Sequence, residues 1–310
     1  MFLAEFKVHS REFITYLDVQ RGLSVHTVRS YELDLAQLIN FWQSLPQTES
    51  STLELKTAIN KFFVHLYHQQ IQKSSIARKV SCFKSFEKFC LQQGKQLQLQ
   101  LTRPKLEKKL PIYLSVEEML HLLDNVSPSD IGSDHPLRDR AILELLYATG
   151  IRCSELVGIK IKDVDVREKT IRILGKGDRE RLALFGTNAA VKLQEYLGKE
   201  REKQKDGDEF LFINNRGGQL SSRAIQRTLT MFRQFLKIKR PVTPHKIRHT
   251  FATHLLNQGV DLRIVQELLG HRSLSSTEKY THVTMQRLSQ LCDRFHPINN
   301  IIKNTKKDDA

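Results

Sequence analysis

The residues best suited to chemistry stand in order along the last 70 positions of this 310-residue chain. Thr243-Pro244-His245-Lys246-Ile247-Arg248-His249 opens a helix and sets His245 and Arg248 three apart, on one face. Leu268-Leu269-Gly270-His271 ends another helix on a glycine and presents His271 from the turn. Tyr280 follows in Glu278-Lys279-Tyr280-Thr281-His282. Singly these are ordinary, since a histidine at a helix start is usually structural and a tyrosine among polar residues usually sits at a surface. Their ordered conjunction in a basic chain is what points to a site.

Several chemistries lack their residues. There is no G-x-x-x-x-G-K-[ST] phosphate loop, and Gly175-Lys176-Gly177 has neither the third glycine nor the following helix of a dinucleotide fingerprint. His245 and His249 are spaced to face one metal, but no carboxylate lies between them and no third ligand is near in sequence, so no metal is expected. Cys82, Cys90, Cys153 and Cys292 form no C-x-x-C pair and read as free thiols in a reducing cytoplasm.

Charge identifies the class of partner. Lys and Arg number 49 against 34 Asp and Glu, a net charge of +15 and the footprint of a polyanion binder. The excess is uneven. Residues 56–109 hold 12 basic and 2 acidic side chains, while residues 1–55 are net acidic. A solvated helix face normally mixes its signs, so this stretch reads as a surface turned to nucleic acid. No apolar run approaches the roughly 18 residues of a membrane span, and no basic-then-apolar leader opens the chain, so a cytoplasmic location without membrane contact is expected.

The elements that must position these groups read as mainly α. Residues 1–94 form a helical domain: a helix near 10–21, one capped by Ser24 with Val28, Tyr31, Leu35, Leu38 and Trp42 inward, one near 53–70, and one from Ser75 to Gly94. Arg78, Lys79, Lys84 and Lys88 mark the outer side of the last helix. Residues 95–111, with two prolines and Arg103, Lys105, Lys108 and Lys109, read as a basic linker that itself touches the ligand. Residues 112–297 form a mixed, mostly helical domain with a small antiparallel sheet: helices near 115–125, 136–149, 187–201, 221–237, 243–258, 261–269 and 284–295, with alternating Val164, Val166, Ile171 and Ile173 and a strand Arg181–Phe185. Residues 298–310 are charged and poor in apolar side chains, which predicts a disordered tail. His254 and His282 read as packing or capping groups, and Glu155 as a partner for a cation rather than an acid or base.

The ordered set Ala148-Thr149-Gly150-Ile151-Arg152-Cys153-Ser154-Glu155-Leu156, Gly175-Lys176-Gly177, His245-x-x-Arg248, Leu269-Gly270-His271 and Tyr280-Thr281-His282 resembles the tyrosine recombinases of the phage integrase family, most nearly the Xer type that resolves chromosome dimers. The resemblance spans the chain, because residues 1–94 are similar to that family's core-binding domain. It implies an active site of Arg152, Lys176, His245, Arg248, His271 and Tyr280, with Tyr280 as nucleophile and no cofactor. With double-stranded DNA as the implied partner, the basic helix face and linker offer Arg78, Lys79, Lys84, Lys88, Arg103 and Lys105 as candidate DNA contacts. A tetramer on DNA, paired with a second, related recombinase, would be coupled by a C-terminal helix, 284–296, docking on the neighbouring subunit.

The chemistry fits those residue types. Attack on a phosphodiester builds charge on the non-bridging oxygens, which two guanidinium forks meet bidentately. A phenol, with an ordinary pKa of about 10, makes a phosphotyrosine that a hydroxyl can displace, so rejoining needs no ATP. Lys176 would protonate the leaving 5′-oxygen, and His245 and His271 would position the phosphate or move the Tyr280 proton. Two departures from the family pattern bear on the hairpin and on regulation: Arg272 after Gly-His, and Leu182-Ala183-Leu184-Phe185 where a proline is common. The competing readings are an integrase or excisionase of a mobile element, and a non-catalytic DNA-binding protein.

Overall fold

A computed structural model describes residues 1–106, 113–124, 130, 132–175, 180–201 and 209–270. The chain divides into two compact units, Met1–Leu110 and Pro111–Ala310. Among the described residues no helix is long and apolar enough to cross a membrane.

The first unit is helical. Helix α1 (Leu3–Thr15) begins earlier than the sequence pattern suggests and runs on through one π-helical turn, Tyr16–Gln20. Helix α2 (Val25–Ser44) starts where the Ser24 hydroxyl accepts the Thr27 amide, at 3.3 Å. A short α3 (Gln47–Thr52) precedes α4 (Leu55–His68) and α5 (Lys73–Gln92). Aromatic side chains at helical spacing meet in the middle: Phe86 packs edge-on against Phe6 and Phe13, with centroids 5.2 and 5.4 Å apart. Each such pair adds about 0.5–1.5 kcal/mol beyond the area it buries.

The stretch expected to be linker from residue 95 is in part attached to this core. Leu99 is buried, with Leu97 and Leu101 packed beside it, and the Leu99 amide donates to Glu87 Oε1 at 2.6 Å. Alternate apolar side chains give the extended segment a face to bury. Arg103 and Lys105, further on, are exposed.

The second unit is built round α7 (Pro136–Thr149), whose side chains are buried on every side of the helix from Ala141 to Thr149. Around it lie α6 (Val116–Asp124), α9 (Thr187–Tyr196), α10 (Ser222–Phe235) and α11 (Pro244–Asn257), with α12 (Leu262–Leu268) against α11. A one-turn α8 (Cys153–Leu156) leads to an antiparallel sheet, β1 (Val164–Asp165), β2 (Thr170–Leu174) and β3 (Glu180–Leu184). The register runs from Thr170 opposite Leu184 to Leu174 opposite Glu180. Ile171 and Ile173 point into the core, as the alternation predicts.

Buried polar side chains on α7 and α11 fix where the unit begins. The Leu114 amide donates to Thr250 Oγ1 at 3.0 Å, and His254 Nε2 donates to the Leu114 carbonyl at 2.9 Å. Nδ1 of the same ring therefore accepts from the Tyr147 hydroxyl, at 2.7 Å. Burial pushes the His254 pKa down, in keeping with this neutral, structural imidazole.

Candidate active site

Helix α7 ends in a left-handed residue, Gly150, with φ of 58°. A β-carbon there would lie 2.5 Å from Phe251 Cδ1 and 2.8 Å from Leu269 Cδ2, so α7, α11 and the end of α12 close on this glycine. Two residues later Arg152 starts α8, its guanidinium partly exposed.

Glu155, three residues on, holds Arg152 twice. Its Oε2 accepts the Arg152 amide at 3.0 Å and its Oε1 accepts Arg152 Nη1 at 2.7 Å. The same Oε2 accepts Arg181 Nη2 from β3, at 2.9 Å. Burial alone would raise the Glu155 carboxyl, but Arg181, the Arg152 amide and the Arg152 guanidinium outweigh it and hold the group below the ordinary carboxylate range. Glu155 is thus the cation partner its position suggests.

Arg248, in the second turn of α11, donates through Nη1 to the Gly150 carbonyl at 2.7 Å and through Nη2 to the Leu269 carbonyl at 2.6 Å. Two of the five N–H groups of its fork are used in this way, and the others have no partner among the described residues. Burial, and then the neighbouring Arg152 charge, bring its pKa down to about 10. Even so lowered, it is a full cation at neutral pH.

Three guanidiniums and one carboxylate therefore meet where α7, α8, β3, α11 and α12 converge. The arrangement carries surplus positive charge with partly uncommitted N–H donors, which suits an anionic oxygen such as that of a phosphodiester. His245 is exposed in the first turn of α11, one turn before Arg248. Its i+4 neighbour His249 packs edge-on against Tyr113, with centroids 6.5 Å apart.

Gly270, the last residue described in this region, has φ of 64° and turns the chain out of α12 immediately before His271. A β-carbon on it would meet Arg181 Cδ and Nε at 2.7 Å. Lys176, His271 and Tyr280 lie outside the described residues, as do His282, the segment 284–296 and the tail 298–310. Of the predicted catalytic set, Arg152, Arg248 and His245 are described. Arg181 was missed by sequence reasoning. Its signal was weak, a single arginine among the charges of Asp178-Arg179-Glu180-Arg181 that follow the glycine turn.

One of the basic residues of α5 is misassigned by the sequence pattern. Lys79 does not face outward: it is buried, donates to Asp34 Oδ1 at 2.7 Å and to Gln37, and lies over the Phe62 ring. It shares the helical spacing of Phe83 and Phe86, four and seven residues on, and so falls on the buried face. Arg78 is exposed but pairs with Asp34 and donates to the Ser30 carbonyl at 3.0 Å. Lys84 and Lys88 are exposed, as predicted.

Residues 11–94 match the N-terminal SAM-like domain of phage integrases, and residues 113–287 match the phage integrase family. The chain belongs to the phage integrase family. Tyrosine recombinase XerC of Syntrophus aciditrophicus is 40% identical to it, over 93% of this chain and 96% of that protein. Tyrosine recombinase XerD of Halalkalibacterium halodurans is 38% identical, over 93% of this chain and 97% of its own length. The protein is an Xer-type tyrosine recombinase, an enzyme of site-specific DNA recombination. A solved structure of XerH site-specific recombinase bound to difH substrate shares the fold, with a TM-score of 0.67 and 23% identity over 91% of this chain and 81% of that one. So does a lambda integrase dimer bound to a COC′ core site, with a TM-score of 0.63 and 19% identity over 89% of this chain and 98% of that one.

Proposed function

We propose that this recombinase cuts and rejoins double-stranded DNA through a 3′-phosphotyrosyl intermediate, with Arg152 and Arg248 holding the scissile phosphate. The observation that carries the reading is the convergence of these two guanidiniums. Arg248 is tied to the carbonyl two residues before Arg152, and neither fork is fully committed within the described residues.

In the first step the Tyr280 phenolic oxygen attacks phosphorus, and its proton passes to a histidine, His245 or His271. The bond from phosphorus to the 5′-oxygen breaks, and Lys176 protonates that oxygen as it leaves. The two arginines meet the charge that builds on the non-bridging oxygens, and removing one such donor raises the barrier by about 3–4 kcal/mol. Attack by a 5′-hydroxyl from the other duplex reverses these transfers and frees Tyr280. The energy of the broken bond is held in the phosphotyrosine throughout.

Exposed Lys84, Lys88, Arg103 and Lys105, with the partly paired Arg78, supply cations for the DNA backbone. We assign the protein to the resolution of chromosome or plasmid dimers at cell division, acting as a tetramer on DNA with a related second recombinase. Close similarity to proteins named XerC, and nearly equal similarity to one named XerD, supports that role. In the same reading the segment 284–296 docks on a neighbouring subunit.

The test is covalent trapping. A nicked duplex bearing a core site recovered from protein-bound genomic fragments should yield a denaturation-resistant adduct. Tyr280→Phe should yield none, and an adduct with that variant would remove Tyr280 from its role.

A further inference from the structure

We infer that Arg181 is a positioning residue for the cleavage step, one that keeps the phosphate-facing edge of Arg152 free by occupying Glu155. The inference rests on the assignment of Arg152 to the scissile phosphate.

The geometry is specific. Glu155 has two carboxylate oxygens, and one guanidinium in reach of both would take them as a bidentate, fork-to-fork pair. Arg152 does not make that pair. Oε2 is filled by Arg181 Nη2 at 2.9 Å and by the Arg152 main-chain amide at 3.0 Å. Only Oε1 is left for the Arg152 side chain, which reaches it through Nη1 at 2.7 Å. The remaining N–H groups of Arg152 have no partner among the described residues, and its side chain is 44% exposed.

Arg181 is held in that role from its other end. Nη1 donates to the Leu268 carbonyl at 3.0 Å, in the last turn of α12, and the side chain is only 16% exposed. Gly270 leaves room for it, since a β-carbon there would come within 2.7 Å of its Cδ and Nε. A strand, a helix end and a glycine turn thus fix one guanidinium against one carboxylate oxygen. Lysine cannot copy this, because a single ammonium is a point charge without the two-pronged reach to Leu268 and Glu155.

With Arg181 removed, Glu155 is free to close on Arg152 bidentately and turn its fork from the phosphate. A misplacement of about 1 Å costs on the order of 100-fold in rate when geometry is the source of catalysis. The substrate distinguishes this effect from general loosening. Arg152 matters because the scissile phosphate is charged, so a methylphosphonate at that position, with one non-bridging oxygen replaced by methyl, lessens the need for it. A residue acting through Arg152 should share that relief, whereas a residue that only supports the fold should not.

The full-length protein is assayed for adduct formation on two nicked duplexes, one with the natural phosphate and one with methylphosphonate at the cleavage position. Arg181→Gln should slow cleavage of the natural phosphate by about 10- to 100-fold. On methylphosphonate the deficit should shrink to within about threefold, with duplex affinity changed less than about twofold on both. Arg181→Lys should show the same pattern with a smaller loss, and it takes the place of the glutamine variant if that one does not fold. Equal deficits on the two substrates, or no deficit on either, would overturn the inference. Failure of the unsubstituted protein to form an adduct on the natural phosphate would instead count against the assignment of the reaction.

Discussion

Arg248 and Gly150 are joined by a 2.7 Å hydrogen bond that ties the helix bearing one arginine proposed to hold the phosphate to the turn that launches the other, Arg152. Gly150 makes this possible in two ways. It adopts a left-handed φ of 58°, and it has no β-carbon to strike Phe251, which would lie 2.5 Å away. The ring belongs to Phe251, a buried residue of α11.

Gly150→Ala therefore combines a strained backbone with an overpacked core. The two together should destabilise the protein by about 2–4 kcal/mol. Denaturant unfolding should show a lower midpoint. Cleavage should fall further than the fraction folded accounts for, because Arg152 and Arg248 are displaced relative to each other. An unchanged midpoint would mean that Phe251 and the turn readjust at no cost.

The buried pair of Asp34 and Lys79 predicts an asymmetry. Asp34→Ala leaves the buried Lys79 ammonium with only the neutral Gln37 side chain and should cost about 3–5 kcal/mol. Lys79→Met replaces that ammonium with an apolar chain of similar size and leaves Asp34 its ion pair with Arg78, so it should cost little. Thermal unfolding of the two variants separates these cases. Equal losses would show that the pair, rather than the stranded charge, sets the energy.

The same pair revises which lysines of α5 are exposed to a polyanion. Neutralising exposed Lys84 and Lys88 together should flatten the slope of log K against log salt for duplex binding, by up to about 0.9 for each phosphate no longer neutralised. Lys79→Met should leave the slope as it was. A slope that responds to Lys79 but not to the other two would reverse the assignment of the helix face.

What the sequence made legible was local. Thr243-Pro244 marks the start of α11, and the helix begins at Pro244 with the Thr243 hydroxyl accepting the Lys246 amide, so the placement of Arg248 followed from three or four neighbouring residues. Glu155 lies one turn from Arg152, and its role as a partner could be read from that interval. The pairings that escaped are distant in the chain. Lys79 finds Asp34 45 positions away, and Arg181 finds Leu268 87 positions away. A charge count placed Lys79 outside although its spacing from Phe83 and Phe86 put it on the inner face. The two prolines and the basic charges of residues 95–111 suggested a linker throughout, and alternating leucines in its first part pack instead on the helical unit.

The last prediction concerns Glu144, on the buried helix α7. Burial, and then the charge of Asp124, push its carboxyl up to about 7, with Lys192 and Arg140 only partly offsetting them. In the folded state the group therefore holds its proton over a range in which the unfolded chain, at an ordinary value near 4.5, has lost it. The folded state binds more protons between those values, so this residue lowers stability as pH rises from about 4.5 to about 7. Below that window the group is protonated in both states and makes no difference. Above it the full penalty applies, on the order of 3 kcal/mol at about 1.4 kcal/mol for each unit of displacement. Glu144→Gln keeps the shape of the protonated carboxyl and removes the titration. The variant should match the natural protein in denaturant unfolding at pH 4, and should exceed it at pH 8 by up to that amount. Equal stability at both pH values would mean that Glu144 keeps its charge in the folded protein at no net cost, its cationic neighbours compensating for burial.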